Sequence, residues 1–157
     1  MPMLPTTLAD QIINLPLTMD VNIAIEGWAN AWIEYFAQSS AGPVPCVKPV
    51  LFGLPKTLMK AAMTTLSTTG AVALQNGILA FWGGVSASST LVYPTATAVT
   101  PPPGLSGLSA ALIPVFAANT LGSLSRPVSA NAISVVMHTL NLGGTATIIA
   151  PPPVPIL

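Results

Sequence analysis

A chain of 157 residues is long enough for one domain, or for one small core with arms, and 52% of this one is hydrophobic while only 5% is charged. An ordinary soluble domain carries about 25% charge. With four acids, four bases and a formal net charge of zero, a free surface of this composition favours association. No basic cluster is available to hold a phosphate backbone, which excludes nucleic acid as a direct partner.

In chain order, residues 1–17 read as an extended, proline-punctuated N-terminal arm, with a short helix allowed from Leu8 to Leu15 and closed by Pro16. The stretch MPMLPTTLAD has neither the basic nor the apolar region of a signal peptide. A helix is predicted over 19–38, capped by Thr18 or Asp20, with Val21, Ile25, Trp28, Trp32 and Tyr35/Phe36 on one face. Trp28 and Trp32 are therefore anchors, either of the core or of a subunit interface. Residues 42–55 hold Pro43, Pro45, Pro49 and Pro55 and read as an extended loop. Helices follow at 56–68, with Pro55 in the first turn, and at 71–82, stopped by Gly83-Gly84. Another spans 106–120, where Pro114 predicts a kink or a break. The last spans 129–142, with Ile133, Val136, Met137 and Leu140 inward, and is stopped by Gly143-Gly144.

One phrase occurs twice. Residues 95–103 read TATAVTPPP and residues 145–153 read TATIIAPPP, and each copy lies downstream of a Gly-Gly pair. The unit is a helix, a double glycine, a β-branched strand and a triple proline. Symmetry suggests that the two strands pair, and triple proline ends the pairing because it removes three backbone donors. The repeat carries no reactive side chain, so it points to scaffolding.

All four acids (Asp10, Asp20, Glu26, Glu34) precede all four bases (Lys48, Lys56, Lys60, Arg126). That order suits head-to-tail subunit contacts or pairing of the acidic helix with the basic segment of the same chain. Chemistry finds little support. Glu26 and Glu34 stand about 12 Å apart along one helix, too far to share a metal or a sugar. No Cys/His metal spacing occurs. Cys46 and His138 are the sole members of their types, and a small enzyme using either of them is one alternative reading. No cofactor, metal or small-molecule substrate is expected. A second alternative is a small membrane-inserting protein of the holin or pore-forming kind, given a mean hydropathy of +0.73. The best windows, 71–88 and 129–150, are interrupted by Gln75, Asn76, Asn131, His138 and glycines, and this argues against insertion.

The strings ILAFWGGV (78–85), TATAVTPPPGLSGLSAAL (95–112), VFAANTLGSLS (115–125) and MHTLNLGGTATIIAPPPVPIL (137–157) resemble small Ala/Gly/Pro-rich virion structural proteins of tailed bacteriophages. The resemblance covers about the C-terminal half. It implies a building block of tail, baseplate, neck or capsid, assembled in the host cytoplasm and residing in the virion. Its partners would be further copies of itself and other virion proteins.

The expected architecture is mainly α: four to five helices in a single domain over 18–150, two short β segments, and Pro-rich arms at 1–17 and 151–157. Its expected role is non-enzymatic, binding neighbouring subunits through low-charge apolar faces and through the arms. Pro151, Pro152, Pro153, Ile156 and Leu157 are the expected contact residues of the second arm. Seven extended residues reach about 20 Å, enough to cross to a neighbour.

Overall fold

The computed structural model describes residues 3–64, 69–120, 125–148 and 154–157. It is mainly helical with two small antiparallel sheets, as the sequence predicts. Pro151–Pro153 and residues 149–150 lie outside the described residues, as does the end of the helix expected over 56–68.

The first departure comes at once. The short helix allowed from Leu8 to Leu15 within the expected arm is present but starts three residues earlier, as helix α1, Pro5–Ile13. Pro5 sits in the first turn, where its missing N–H and fixed φ cost nothing. Leu8, Ala9 and Ile12 are buried on the face that packs against the last helix. Burying Leu8 and Ile12 stabilises by about 2 kcal/mol each, which a helix of this length needs because it would not hold in isolation.

Helix α2, Val21–Phe36, begins at Asp20, whose carboxylate accepts from the N–H of Asn22 (2.8 Å) and of Ile23 (3.2 Å). Its inward stripe is Ile25, Ala29, Trp32, Ile33 and Phe36, whereas Val21 faces solvent. A hairpin of β1 (Ser40–Ala41) and β2 (Val44–Pro45) turns at Gly42, φ +58°. Helix α3 (Lys48–Leu51) and helix α4 (Leu54–Met63) follow.

Helix α5, Gly70–Ala87, overturns the expected stop, for it runs straight through Gly83-Gly84. Gly70, Gly77 and Gly84 recur every seven residues, which places them on one stripe. A Cβ on Gly77 would stand 2.5 Å from the Met63 side chain, and one on Gly84 would stand 2.6 Å from the Pro55 backbone. Each glycine gives up about 1 kcal/mol of helix propensity. In return α4 and α5 approach closely enough for the buried Met59 and Met63 of α4 to sit over Gly77.

After α6 (Ser89–Val92) comes β3, Ala96–Thr100, then a turn of 3-10 helix at Pro103–Gly107. Helix α7, Leu108–Thr120, continues through Pro114, so of the kink or break expected there the break does not occur. Helix α8 spans Arg126–Asn141, and here the double glycine does end the helix: Gly143 takes φ +96°. Strand β4 is Thr145–Ile148 and β5 is Val154–Pro155.

The two copies of the repeated phrase do pair, within one chain and antiparallel: Val99 opposes Ala146 and Thr100 opposes Thr145, with a bulge between Ala96 and Ala98. Sheet order is β3-β4-β5. Between the helices lies an aromatic core of Trp32, Tyr35, Phe36, Phe81, Trp82 and Tyr93, all fully buried. Phe36 meets Phe81 and Trp82 edge to face, with centroids 4.9 and 5.1 Å apart, the arrangement favoured by ring quadrupoles.

Candidate functional site

The two tryptophans separate in role. Trp32 is a core residue, whereas Trp28, four positions earlier, is half-buried and lines an apolar cleft of about 390 Å³ with Met19, Val21, Ile25, Met63, Leu74 and Phe116. Asp20, Thr18 and Thr64 supply its polar edge. Met19 and Val21 form an exposed rim, with Leu17 exposed just before it in the chain, while the exposed Ile23 lines a different hollow with Glu26 and Lys60. Four large apolar side chains in solvent on one short stretch constitute the most distinctive surface among the described residues.

The tail settles differently from the expected arm. Ile156 is buried and bridges Ala41, so it is a core residue of its own chain. Its N–H donates to the Gly144 carbonyl at 3.0 Å. Leu157 exchanges two backbone hydrogen bonds with Ser40, at 2.9 and 3.1 Å, while its side chain stays half-exposed. Residues 154–157 thus join the two sheets rather than reach outward.

The charge segregation resolves as pairing within the chain. Lys48 donates to Glu34 at 2.7 Å, and Lys56 and Lys60 both hold Glu26. The two ammonium groups bring the Glu26 carboxyl down to about 2. Arg126 donates to the Leu15 carbonyl. Three lysines and two glutamates therefore form two groups on α2, Lys48 with Glu34 and Lys56 and Lys60 with Glu26.

Cys46 and His138 are not brought together. Cys46 lies beside Ser39, whose hydroxyl is 2.6 Å from the Tyr93 phenol. Burial pushes the thiol up to about 12, so it stays protonated at neutral pH and is a poor nucleophile. His138 Nδ1 is 2.8 Å from the Tyr35 phenol. Burial lowers its imidazole below the ordinary value and raises the phenol, so both are neutral at pH 7.

On α8, Asn141 lies one turn beyond the half-buried His138 and is itself buried. The Trp82 indole N–H donates to Asn141 Oδ1 at 2.8 Å, and Asn141 Nδ2 donates to the Met3 sulfur at 3.6 Å. Sequence reasoning singled out His138 and passed over Tyr35, Asn141 and Trp82 as its companions. The available signal was the pair His138 and Asn141, three residues apart on an otherwise apolar face.

Among the described residues, no group of three His, Cys, Asp or Glu side chains could hold a metal ion. Nor, among those residues, is any helix long and apolar enough to cross a membrane. Comparison with protein-family models, with curated proteins and with solved structures finds no match.

Proposed function

We propose that this chain is a non-enzymatic structural subunit of a bacteriophage particle, a component of tail, baseplate, neck or capsid that binds copies of itself and other virion proteins. The observation that carries the reading is the exposed apolar rim of Met19 and Val21 on the Trp28 cleft, with Leu17 exposed just before it in the chain. A monomer gains nothing by holding these side chains in water. A neighbour's side chain entering the cleft would desolvate them and Trp28 together, the pattern of an interface anchor. The scarcity of charge supports the same reading. With Glu26, Glu34, Lys48, Lys56 and Lys60 paired among themselves, Asp20 is the one charged residue lining the cleft, so a neighbour meets little charge there. The textural likeness to phage virion proteins directs the choice of particle.

The test is light scattering behind a sizing column, on the chain without detergent, beside the double variant Leu17→Lys, Met19→Lys. Both positions are solvent-exposed, so the variant folds. A discrete oligomer for the parent chain and a mass lowered by at least half for the variant are expected. A monomer in both cases overturns the reading, and recovery only with detergent replaces it by a membrane role.

A further inference from the structure

Charge is unevenly satisfied within this chain. Glu34 has Lys48, whereas Glu26 has both Lys56 and Lys60, two ammonium groups to one carboxylate. Asp20 is exposed and forms no ion pair among the described residues. Its Oδ1 accepts both cap hydrogen bonds, from the N–H of Asn22 and of Ile23, which leaves Oδ2 without a partner among those residues. The cleft edge therefore carries a spare negative charge, and the Glu26 group a spare positive one. Asp10 and Arg126 line neither surface.

The two spare charges belong to opposite flanks of α2. A helix turns about 100° per residue. Val21, Ala24, Ile25 and Trp28 line the cleft and centre on one flank. Ile23, Glu26, Gly27 and Asn30 line the hollow bordered by Lys60, and they centre about half a turn away. Each surface has an exposed apolar part: Met19 and Val21 on the first, with Leu17 before them, and on the second Ile23, with Phe52 in an adjoining recess that shares Glu26 and Lys60. The side-chain amide of Asn30 lines the hollow with its oxygen unpartnered among the described residues. A donor arriving there meets a need that the isolated chain leaves open.

We infer that copies of this chain join head to tail: the rim of residues 17–21, with Asp20, seats on the flank of the next copy that carries Ile23 and Lys60. The inference rests on the self-association proposed above and gives it a direction. Opposite charges meet, and exposed apolar side chains cover one another, so each flank supplies what the other lacks. Pairing like with like fails on charge. Rim on rim opposes Asp20 to Asp20, and hollow on hollow opposes Lys60 to Lys60. A contact between two different surfaces leaves a free rim at one end and a free hollow at the other, so the assembly closes as a ring or runs on as a fibre.

The experiment blocks one surface at a time. Leu17→Lys, Met19→Lys closes the rim. Ile23→Glu closes the hollow by setting a carboxylate where the Asp20 of a neighbour arrives. These positions are exposed, and a carboxylate in the first turn of α2 suits the helix dipole. Lys60→Glu is a second block of the hollow. Light scattering of the full chain is expected to give a species larger than a dimer for the parent and a monomer for each blocked variant. Rim-blocked and hollow-blocked chains, once mixed, should give a heterodimer that grows no further, since it uses the only live rim and the only live hollow. Its charge pair can then be tested from either side. Asp20→Asn keeps a cap and removes the charge. In the hollow-blocked chain it should weaken the heterodimer about three- to tenfold, and in the rim-blocked chain it should change nothing. A parent that stops at a dimer, hollow variants that assemble as well as the parent, a mixture that stays monomeric, or equal effects of Asp20→Asn in the two chains overturns the inference and leaves self-association standing. A parent that is itself monomeric overturns both.

Discussion

The same dipeptide does opposite things at two places in this molecule. Gly83-Gly84 lies inside α5, and Gly143-Gly144 ends α8. Both follow an apolar helical stretch and both precede a TAT strand, so local rules assign them one role. The difference lies in what each glycine touches. Gly84 lets the Pro55 backbone come against the helix, and the packing of α4 on α5 outweighs the propensity cost of two glycines. Gly143 sits at φ +96°, which an L side chain adopts only under strain, and Gly144 lies flat against the Trp82 ring. A double glycine is thus a stop only where no partner backbone keeps the helix going.

The largest test of this contrast is Gly84→Ala. The new methyl would stand 2.6 Å from Pro55 Cα, a backbone atom that cannot turn aside. Despite the gain in helix propensity, overpacking should lower stability by about 3 kcal/mol, read as a drop in the urea midpoint. If the variant is as stable as the parent, the close approach of α4 and α5 is not what carries the helix through. Next come the terminating glycines. Gly144→Ala places a methyl 2.7 Å from the Trp82 ring and should cost about 2 kcal/mol. Gly143→Ala meets only Pro103 Cδ at 3.8 Å, so its cost is backbone strain of about 1–2 kcal/mol. Trp82 fluorescence should shift for the first and stay unchanged for the second, which separates packing from conformation in adjacent residues.

These cases also mark what could be read in the chain. Asp20 as a cap, Ile25, Trp32 and Phe36 as a core stripe, and the pairing of the repeated strands are all visible, because each rests on periodicity or repetition. The heptad Gly70, Gly77, Gly84 was equally present, but the adjacent Gly83 made a stop the simpler local reading. Helix α1 was legible from Leu8 onward; its first turn was not, because Pro2 and Pro5 read as an extended arm until a partner helix is supplied. The seat of Ile156 and Leu157 on Ser40 and Ala41 has no local signal, since strand pairing across nearly the whole chain is decided by tertiary contact. For the candidate site, four-residue spacing put Trp28 and Trp32 on one face but could not say that the first lines a cleft and the second the core. His138 was visible as a lone titratable group. Its hydrogen bond to the Tyr35 phenol was not, because the polar atom of an aromatic is silent in a hydrophobicity pattern.

The smallest expected effect is the most discriminating, because its sign is reversed. Gly83 has nothing within 4 Å of where a Cβ would be, and it faces solvent. If α5 truly continues through the pair, Gly83→Ala adds helix propensity at no steric cost and stabilises by up to about 1 kcal/mol. If the pair were a stop, with Gly83 in a left-handed turn, the same substitution would destabilise by a similar amount. Chemical denaturation of Gly83→Ala beside Gly143→Ala therefore sets two alanines, each in the first position of the same dipeptide, against each other. Opposite signs are expected, and like signs would return Gly83 to the role its neighbours in sequence suggest.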